Sequence, residues 1–211
     1  MKLAIIGSGG HAKAVLDAAL AAGWQDIVLL DDAPDAPAKL LGFNIVGTTA
    51  LLGSRIVPQE YAAAVAVGDN RARARLTAQA EAAGFSLPLI RHPSAQVSRF
   101  ADLSQARGTV LLAGSIVCAG VVLGRGCIVN TAATVDHDCR IGDFVHISPG
   151  AHLAGNTAVG RFSWLGIGST TRQGSRIGTG CIIGASAAVI RDIPDGCTAV
   201  GVPAEIIRRT P

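Results

Sequence analysis

The sequence predicts two folded parts, an α/β unit at the N-terminus and a parallel β-helix that makes up the rest of the chain. The first is indicated by a β-α-β pattern with a glycine-rich turn over residues 3–32. The second is indicated by aliphatic residues that recur every six positions from about Val97 to Val189, and by an aromatic content of only 4%. We therefore predict a Rossmann-like nucleotide-binding domain over residues 1–91 and a β-helix domain over residues 92–211.

The six-residue period persists over thirteen steps. Twelve of these positions are aliphatic and the exception, Thr171, is β-branched: Val117, Leu123, Val129, Val135, Ile141, Ile147, Leu153, Val159, Leu165, Thr171, Ile177, Ile183 and Val189. A small or slender residue lies four positions after each of the first twelve of these periodic residues. A glycine recurs every eighteen residues from Gly124 to Gly178. This pattern predicts three short strands per coil and about five stacked coils around a core too narrow for large side chains.

Composition excludes several classes of protein. The net charge of +3 among 211 residues is too small and too scattered for a nucleic-acid partner, and no apolar run reaches the length of a membrane span. The five cysteines form no CxxC pair, and three occupy small inward positions of the repeat, so we interpret them as core residues without a metal. With no signal-peptide pattern at the start, we expect a cytoplasmic protein without membrane insertion.

The N-terminal unit carries a possible phosphate-binding turn. An apolar run over residues 3–6 leads into Gly7–His11, a helical pattern ends at Gly23, and a second apolar run ends at Asp31 and Asp32. Glycines let a phosphate approach the backbone and the N-terminus of the helix, and an acid after the second strand can bind a ribose or a base. Ala12 replaces the third glycine of the dinucleotide fingerprint, so a tight turn without a ligand remains an alternative.

A second helix is predicted from Arg71 to Ala83. Arg71, Arg73 and Arg75 lie near its start. We expect these arginines on a solvated face, with a phosphate contact as the alternative.

One histidine of the repeat region has a setting suited to chemistry. His137 lies between Asp136 and Asp138, two carboxylates that can orient the ring and stabilise its protonated form, as a general base requires. His146 and His152 also lie outside the inward positions of the repeat. No nucleophile motif such as GxSxG accompanies them, so the sequence offers a base without a covalent nucleophile. This favours direct attack of an amine or hydroxyl on an activated acyl donor.

These motifs together resemble the hexapeptide-repeat acyltransferases, and within them the two-domain sugar acetyltransferases grouped with sialic acid O-acetyltransferases and with bacillosamine- and perosamine-type N-acetyltransferases. The resemblance spans nearly the whole chain, in order, over Gly7–His11, Leu30–Asp32, Val67–Asn70, His92–Ala95, Asn130–Cys139, Phe144–Ala151, Leu153–Asn156 and Gly201–Ala204.

The resemblance implies a left-handed β-helix and a homotrimer with active sites between neighbouring chains. It implies acetyl-CoA as the co-substrate, no metal, and a nucleotide-activated amino sugar as the acceptor, with UDP as the expected nucleotide. The reaction would be acetylation of the amino group of a 4-amino-6-deoxy sugar in a ternary complex.

The resemblance also assigns roles to individual residues. His137 corresponds to the general base and Asp138 to the adjacent acid, where relatives often carry Glu, and Asp136 is a rival for that role. Asn130 corresponds to a third residue of the catalytic pocket. The positions implied for acetyl-CoA are His146, Gly155 (whose N–H would hold the thioester oxygen), Ile167 and Ala185, and those implied for the nucleotide sugar are Gly9, Gly10, His11, Asp31, Asp32 and Gly68.

Three other functions remain open from the sequence. The same chemistry could acetylate a hydroxyl group, as in an O-acetyltransferase of sialic acid or another sugar. The glycine-rich turn alone would also suit an NAD-dependent oxidoreductase, although that leaves the β-helix without a purpose. A β-helix could also serve as a non-catalytic assembly core, which the setting of His137 argues against.

Overall fold

A computed structural model describes residues 1–209 of the chain. Its N-terminal elements are β1 (Lys2–Ile6), α1 (Gly10–Ala21), β2 (Ile27–Leu30), β3 (Lys39–Leu40), β4 (Phe43–Asn44), a 3-10 turn (Thr49–Leu51), β5 (Tyr61–Val65) and α2 (Asn70–Ala82). Strands β2, β1 and β5 form a parallel sheet in that order, and β3 pairs with β4. The predicted β-α-β unit is therefore present.

Alternate residues of β1 point to opposite faces of this sheet, as the period of a strand requires. Leu3 and Ile5 pack in the cluster that contains the apolar face of α1. Ala4 and Ile6 pack on the other face, with Ala80 of α2. Both faces are covered, so the strands are almost wholly apolar.

The rest of the described chain is a β-solenoid. Its strands are β6 (Ile90–Arg91), β7 (Gln96–Val97), β8 (Val110–Leu111), β9 (Ile116–Val117), β10 (Val122–Leu123), β11 (Ile128–Val129), β12 (Thr134–Val135), β13 (Arg140–Ile141), β14 (His146–Ile147), β15 (His152–Leu153), β16 (Ala158–Val159), β17 (Trp164–Leu165), β18 (Thr170–Thr171), β19 (Arg176–Ile177), β20 (Ile182–Ile183), β21 (Ala188–Val189), β22 (Cys197–Val200) and β23 (Glu205–Arg209). Successive strands enter three sheets in turn, so the solenoid has three sides.

The first sheet has the order β23-β22-β20-β17-β14-β11-β8-β6, the second β21-β18-β15-β12-β9-β7, and the third β10-β13-β16-β19. From β8 to β21 the neighbouring strands of each sheet are parallel and eighteen residues apart, as in the pairing of Ile128 with His146. The solenoid begins before the first repeat predicted from sequence, because Ile90 of β6 already pairs with Val110. Only β23, which pairs with β22, runs antiparallel.

The six-residue period is confirmed as the core of the solenoid. The twelve aliphatic residues of this period are buried, and the cysteines at small inward positions pack among them. Thr171 is the one polar residue among the thirteen periodic positions. Its hydroxyl oxygen accepts a hydrogen bond from the Ala154 N–H at 3.0 Å and lies 3.0 Å from the hydroxyl of Thr157. This half-buried threonine is tolerated there because its hydroxyl is hydrogen-bonded.

From Gly108 to Ser186 the corners of the solenoid contain residues with positive φ, again at intervals of six. Eight are glycines and six are not: Gly108, Gly114, Gly120, Gly126, Ala132, Asp138, Phe144, Gly150, Asn156, Phe162, Gly168, Gly174, Gly180 and Ser186. Glycine adopts this conformation without steric cost, whereas other residues are strained in it. Asp138 is one of the six, and aspartate adopts this conformation more readily than most residues do.

Candidate active site

The glycine-rich turn and the ends of the N-terminal strands surround a cavity of about 240 Å³, here called the N-terminal cavity. Its lining includes all six residues that the sequence assigned to the nucleotide sugar, namely Gly9, Gly10, His11, Asp31, Asp32 and Gly68. Gly7 has a φ of +113°, and a Cβ there would lie 3.0 Å from the Ala66 oxygen. Added Cβ atoms on Gly9 and Gly10 would meet nothing within 4 Å, so the turn leaves its backbone open to a ligand.

The two aspartates of this cavity organise its walls. Asp31 accepts hydrogen bonds from the N–H of Ser8 at 2.6 Å and from its hydroxyl. Burial opposes ionisation of Asp31, but the hydrogen bonds from Ser8 and from the Ala33 N–H outweigh it and lower the pKa. Asp32 accepts from the N–H and hydroxyl of Thr49 at 2.7 and 2.8 Å. Both carboxylates therefore fix loops as well as facing the cavity.

A second cavity of about 440 Å³, the solenoid cavity, lies on the first sheet. Its lining includes Asn130, His146, Trp164, Ile167 and Ala185. The indole N–H of Trp164 donates to the Ser148 hydroxyl at 2.6 Å, and the indole plane stacks on the ring of His146 at 5.6 Å between centroids. This contact fixes both rings at the edge of an otherwise apolar groove.

The buried His146 and the half-buried His11 join the two cavities. The rings of His11, in the N-terminal cavity, and His146, in the solenoid cavity, lie 6.0 Å apart. Burial, with the charge of Arg73 as a smaller cause, lowers the pKa of His11 to about 4. Burial, followed by His11 and Arg73, lowers the pKa of His146 to about 3. Both imidazoles are therefore neutral near pH 7.

Hydrogen bonding defines the tautomer of His146. Asn130 Oδ1 accepts from the Thr131 N–H at 2.8 Å, so Asn130 Nδ2 is the atom that faces His146 Nε2, at 3.1 Å. Nε2 must accept this hydrogen bond, which leaves the ring proton on Nδ1. Among residues 1–209 neither His146 Nδ1 nor His11 Nε2 has a hydrogen-bond partner, although both atoms are buried. Such atoms are costly unless a substrate or water pairs with them.

The third group, here called the His137 corner, consists of His137, Asp138 and Gly155. His137 Nδ1 lies 2.8 Å from Asp138 Oδ2, whereas Asp136 accepts the backbone N–H of His137 at 2.8 Å. The hydrogen bond that His137 Nδ1 donates to Asp138, followed by the charge of Asp136, raises the pKa of His137. The geometry thus separates the two rival acids, because Asp138 contacts the ring and Asp136 contacts the backbone.

Gly155 lies one coil above, directly against the free side of the His137 ring. A Cβ on Gly155 would be 2.5 Å from His137 Nε2. The Asn156 N–H also donates to the His137 carbonyl at 2.8 Å, which connects the two coils. Nε2, the nitrogen not engaged by Asp138, therefore faces a surface that only glycine can supply.

The folded chain brings the predicted site residues together in two places rather than one. The N-terminal and solenoid cavities adjoin at His11 and His146, and they contain ten of the predicted residues, Asn130 among them. His137 follows a strand of the second sheet, whereas Asn130 follows a strand of the first. The two residues occupy different corners of the three-sided solenoid, so Asn130 contacts His146 rather than His137.

Sequence reasoning missed several residues at this site. Arg73, expected on a solvated face, is 1% exposed and lies at the junction of the N-terminal domain and the solenoid. Arg71 and Arg75 are exposed, as expected. Trp164 could have been noticed as one of two tryptophans in a chain nearly without aromatic residues. No sequence signal distinguished Arg73 from its neighbours.

Two further features of the described residues bear on function. Within residues 1–209, no group of three or more His, Cys, Asp or Glu side chains could hold a metal ion. None of the described helices is both long enough and apolar enough to cross a membrane.

Comparison with known proteins identifies the family. Residues 2–80 match the PglD N-terminal domain. The acetyltransferase domain of PglB from Neisseria gonorrhoeae FA1090, solved in complex with acetyl coenzyme A, is 49% identical with a TM-score of 0.93, and the match covers 98% of each chain. The chain belongs to the family of hexapeptide-repeat amino-sugar N-acetyltransferases.

Other members of the family share the whole architecture. PerB from Caulobacter crescentus, solved with CoA and GDP-perosamine, is 39% identical with a TM-score of 0.91, and the match covers 99% of this chain and 98% of PerB. The GDP-perosamine N-acetyltransferase of Escherichia coli O157:H7 is 28% identical over 190 residues, which are 88% of this chain and 84% of the relative. The family resemblance inferred from the sequence motifs is therefore confirmed. An N-acetyltransferase family does not support the oxidoreductase alternative.

Proposed function

We propose that this protein transfers the acetyl group of acetyl-CoA to the amino group of a nucleotide-linked 4-amino-6-deoxy sugar, with His137 as the general base. UDP is the nucleotide we expect. The observation that carries the proposal is the His137 corner, where a histidine oriented by Asp138 presents a free Nε2 beside a glycine backbone. Membership of the N-acetyltransferase family supplies the reaction class.

The N-terminal cavity is the proposed site of the nucleotide. Its open glycine backbone at the start of α1 suits a diphosphate, because helix N-termini favour anions and α1 has no side-chain cap. Loops fixed by Asp31 and Asp32 would form a Rossmann-like wall for the ribose and base. The sugar would extend towards His11 and His146, whose unpartnered nitrogens can hydrogen-bond it.

The solenoid cavity is the proposed site of acetyl-CoA. Its lining by Trp164, Ile167 and Ala185 suits an apolar pantetheine arm, with backbone groups at hand for its amides. The relative from Neisseria gonorrhoeae was solved with acetyl coenzyme A, and PerB with CoA. Because this cavity adjoins the N-terminal cavity, the amine and the thioester would meet near His146.

The proposed chemistry is direct transfer. The sugar amine attacks the thioester carbonyl as neutral His137 Nε2 accepts a proton from nitrogen, and Asp138 stabilises the imidazolium that forms. The tetrahedral intermediate then collapses, the C–S bond breaks and CoA thiolate leaves with its electron pair. The Gly155 N–H is the proposed donor to the oxyanion. A positioned base contributes about 10²–10⁴-fold, and alignment of the two substrates makes the attack effectively unimolecular.

Completion of the site requires a second copy of the chain. Within one chain the His137 corner and the solenoid cavity flank the second sheet, on different corners. The outward residues of that sheet are uncharged, namely Gln96, Ile116, Thr134, His152, Thr170 and Ala188. An uncharged face suits burial between subunits. We propose a homotrimer in which His137 of one chain faces the solenoid cavity of its neighbour.

The experiment that tests this function measures CoA release with a thiol reagent when a UDP-linked 4-amino-4,6-dideoxy sugar is added with acetyl-CoA. Sugar-dependent release and a product heavier by one acetyl group would support the proposal. The Asp31→Ala variant should weaken the nucleotide sugar about tenfold, the value of a lost hydrogen bond to a charged group, and leave acetyl-CoA binding unchanged. Equal weakening of both ligands would remove Asp31 from the nucleotide site.

GDP-perosamine is the second acceptor to test, because two relatives are described with it. Release with the GDP sugar alone would correct the nucleotide and keep the reaction. Release with free sialic acid alone would indicate O-acetylation. Failure to bind acetyl-CoA in a folded protein would overturn the acyltransferase assignment.

A further inference from the structure

Arg73 of α2 is a buried cation whose donors are all engaged. Its Nε donates to the Gly126 carbonyl at 2.7 Å, and its Nη1 donates to the carbonyls of Val67 and Gly68 at 3.1 and 3.0 Å. Its Nη2 donates to Asn70 Oδ1 at 2.7 Å and to the Phe144 carbonyl at 3.0 Å. A guanidinium has five N–H donors in a rigid fork, and here each has an acceptor.

Asn70 extends the same contact by one coil. Its Nδ2 donates to the carbonyls of Phe162 and Ser163 at 2.9 and 3.1 Å. Gly126, Phe144 and Phe162 are eighteen residues apart, so Asn70 and Arg73 together bind equivalent corner carbonyls of three successive coils. All three have positive φ, and the rings of Phe144 and Phe162 stack at 5.6 Å. The pair thus matches the repeat of the solenoid rather than one isolated group.

The other end of this contact is the wall of the N-terminal cavity. Val67 and Gly68, which accept from Arg73, both line that cavity. The charge of Arg73 also acts on His11 and His146, the rings that join the two cavities. Among residues 1–209 no carboxylate forms an ion pair with Arg73. Arg73 therefore acts through hydrogen bonds to backbone carbonyls on both sides of the domain junction.

We propose that Asn70 and Arg73 are positioning residues that hold the N-terminal cavity in register with the solenoid cavity, so that the bound acceptor meets the thioester. The inference rests on the proposed assignment of these two cavities to the two substrates. Neither residue touches the reacting atoms. They act through the Val67–Gly68 wall on one side and the corner carbonyls on the other.

The test compares three variants of the full chain. Asn70→Ala removes the contacts to the third coil, and Arg73→Lys keeps the charge but cannot reproduce the five-donor fork. Arg75→Gln, at an exposed position on the same helix, is the matched control. We expect kcat to fall about 10- to 100-fold in the first two variants, since a misplacement of about 1 Å far from the chemistry has such effects. We expect the control to match the unmutated protein.

Binding separates positioning from a local defect in either cavity. In Asn70→Ala and Arg73→Lys, the Kd values for acetyl-CoA alone and for the nucleotide diphosphate alone should change less than about threefold, because each cavity is intact by itself. Unchanged kcat in both variants would overturn the proposal, as would a fall in kcat fully explained by weaker binding of one ligand. Loss of the folded state in both variants would assign the pair to folding and overturn it equally.

A second readout does not depend on the substrates. Amide hydrogen exchange over residues 67–70 should be faster in both variants than in Arg75→Gln, because the wall loses its attachment to the solenoid. If the unmutated protein acetylates no nucleotide sugar, the proposed function fails, and faster exchange would still support the domain contact. Unaltered exchange would then overturn it.

Discussion

The His137 corner and the His11–His146 junction place the same side chain in opposite environments. His137, at a corner, and His146, in the next strand of the first sheet, are nine residues apart in one solenoid. The side chain of His137 is 53% exposed and bonded to a carboxylate, and its pKa is raised. His146 is buried between His11 and Trp164, and its pKa is lowered to about 3.

This difference teaches which histidine can do which task. A general base must exchange a proton near neutral pH, and only His137 has a partner that stabilises the protonated ring. His146 stays neutral and can only donate or accept hydrogen bonds. The local backbone produces the difference, since Asp138 occupies a corner with positive φ whereas His146 lies in a strand covered by the N-terminal domain.

The largest effect on turnover is expected from removing the proposed general base, His137. His137→Ala should lower turnover by about 10²–10⁴-fold without unfolding the protein, because the ring is exposed and only its proton transfer is lost. CoA release and a thermal melt would measure the two effects. His92→Ala, at a histidine outside the His137 corner and both cavities, is the control. Near-normal turnover of folded His137→Ala would remove His137 from the role.

A methyl group at position 155 should disrupt the His137 corner from the side of the ring opposite Asp138. The new Cβ would lie 2.5 Å from His137 Nε2, so the ring must move off the substrate. We expect Gly155→Ala to lower kcat about 100-fold, the cost of a misplacement of about 1 Å. A double-mutant cycle checks the cause, since Gly155→Ala should add little to His137→Ala if it acts through that ring. Fully additive losses would point to a separate role for Gly155.

Most of the fold could be predicted from sequence because the solenoid repeats one physical rule. Each six-residue segment must place one aliphatic side chain inward, so the same requirement of the core is visible at thirteen successive periodic positions. The β-α-β unit could be predicted as readily, since apolar runs mark its strands and glycines mark its turn. The two clusters around His11 and His137 also followed from motifs that lie on those elements.

The relation between the elements could not be predicted. Periodicity describes each coil separately and says nothing of what covers it, so the burial of Arg73 and His146 at the junction of the N-terminal domain and the solenoid had no signal. The pairing of Asn130 with His146 rather than His137 depends on which corner each residue occupies. The choice between Asp136 and Asp138 depends on one corner dihedral, which the sequence does not encode visibly.

The pH profile sharpens the comparison at the His137 corner. The proposed base must be neutral, so kcat/KM should fall as pH drops through the raised pKa of His137. In Asp138→Asn the cause of that rise is removed, the pKa falls, and the acidic limb should move to lower pH. The maximal rate should also fall about 10- to 100-fold, because the protonated ring loses the negative charge that stabilises it. An unmoved acidic limb would show that another group controls it.

The smallest expected effect concerns stability at the buried junction. His11 and His146 have pKa values of about 4 and about 3 in the folded protein, against 6.5 ordinarily. Below pH 6.5 the unfolded chain binds protons that the folded one does not, so stability should decline as pH falls from about 6.5 towards about 4. In His146→Gln one of the two groups is gone, so the slope of Tm against pH should be less steep than in the unmutated protein.

Arg75→Gln is the matched control for that slope, because Arg75 is exposed, lies outside both cavities and should leave the slope unchanged. The measurement is a set of thermal melts between pH 7 and pH 4 at constant ionic strength. An unaltered slope in His146→Gln would mean that the ring is already protonated in the folded protein. It would then resemble His137, and the neutral role assigned to the junction would be wrong.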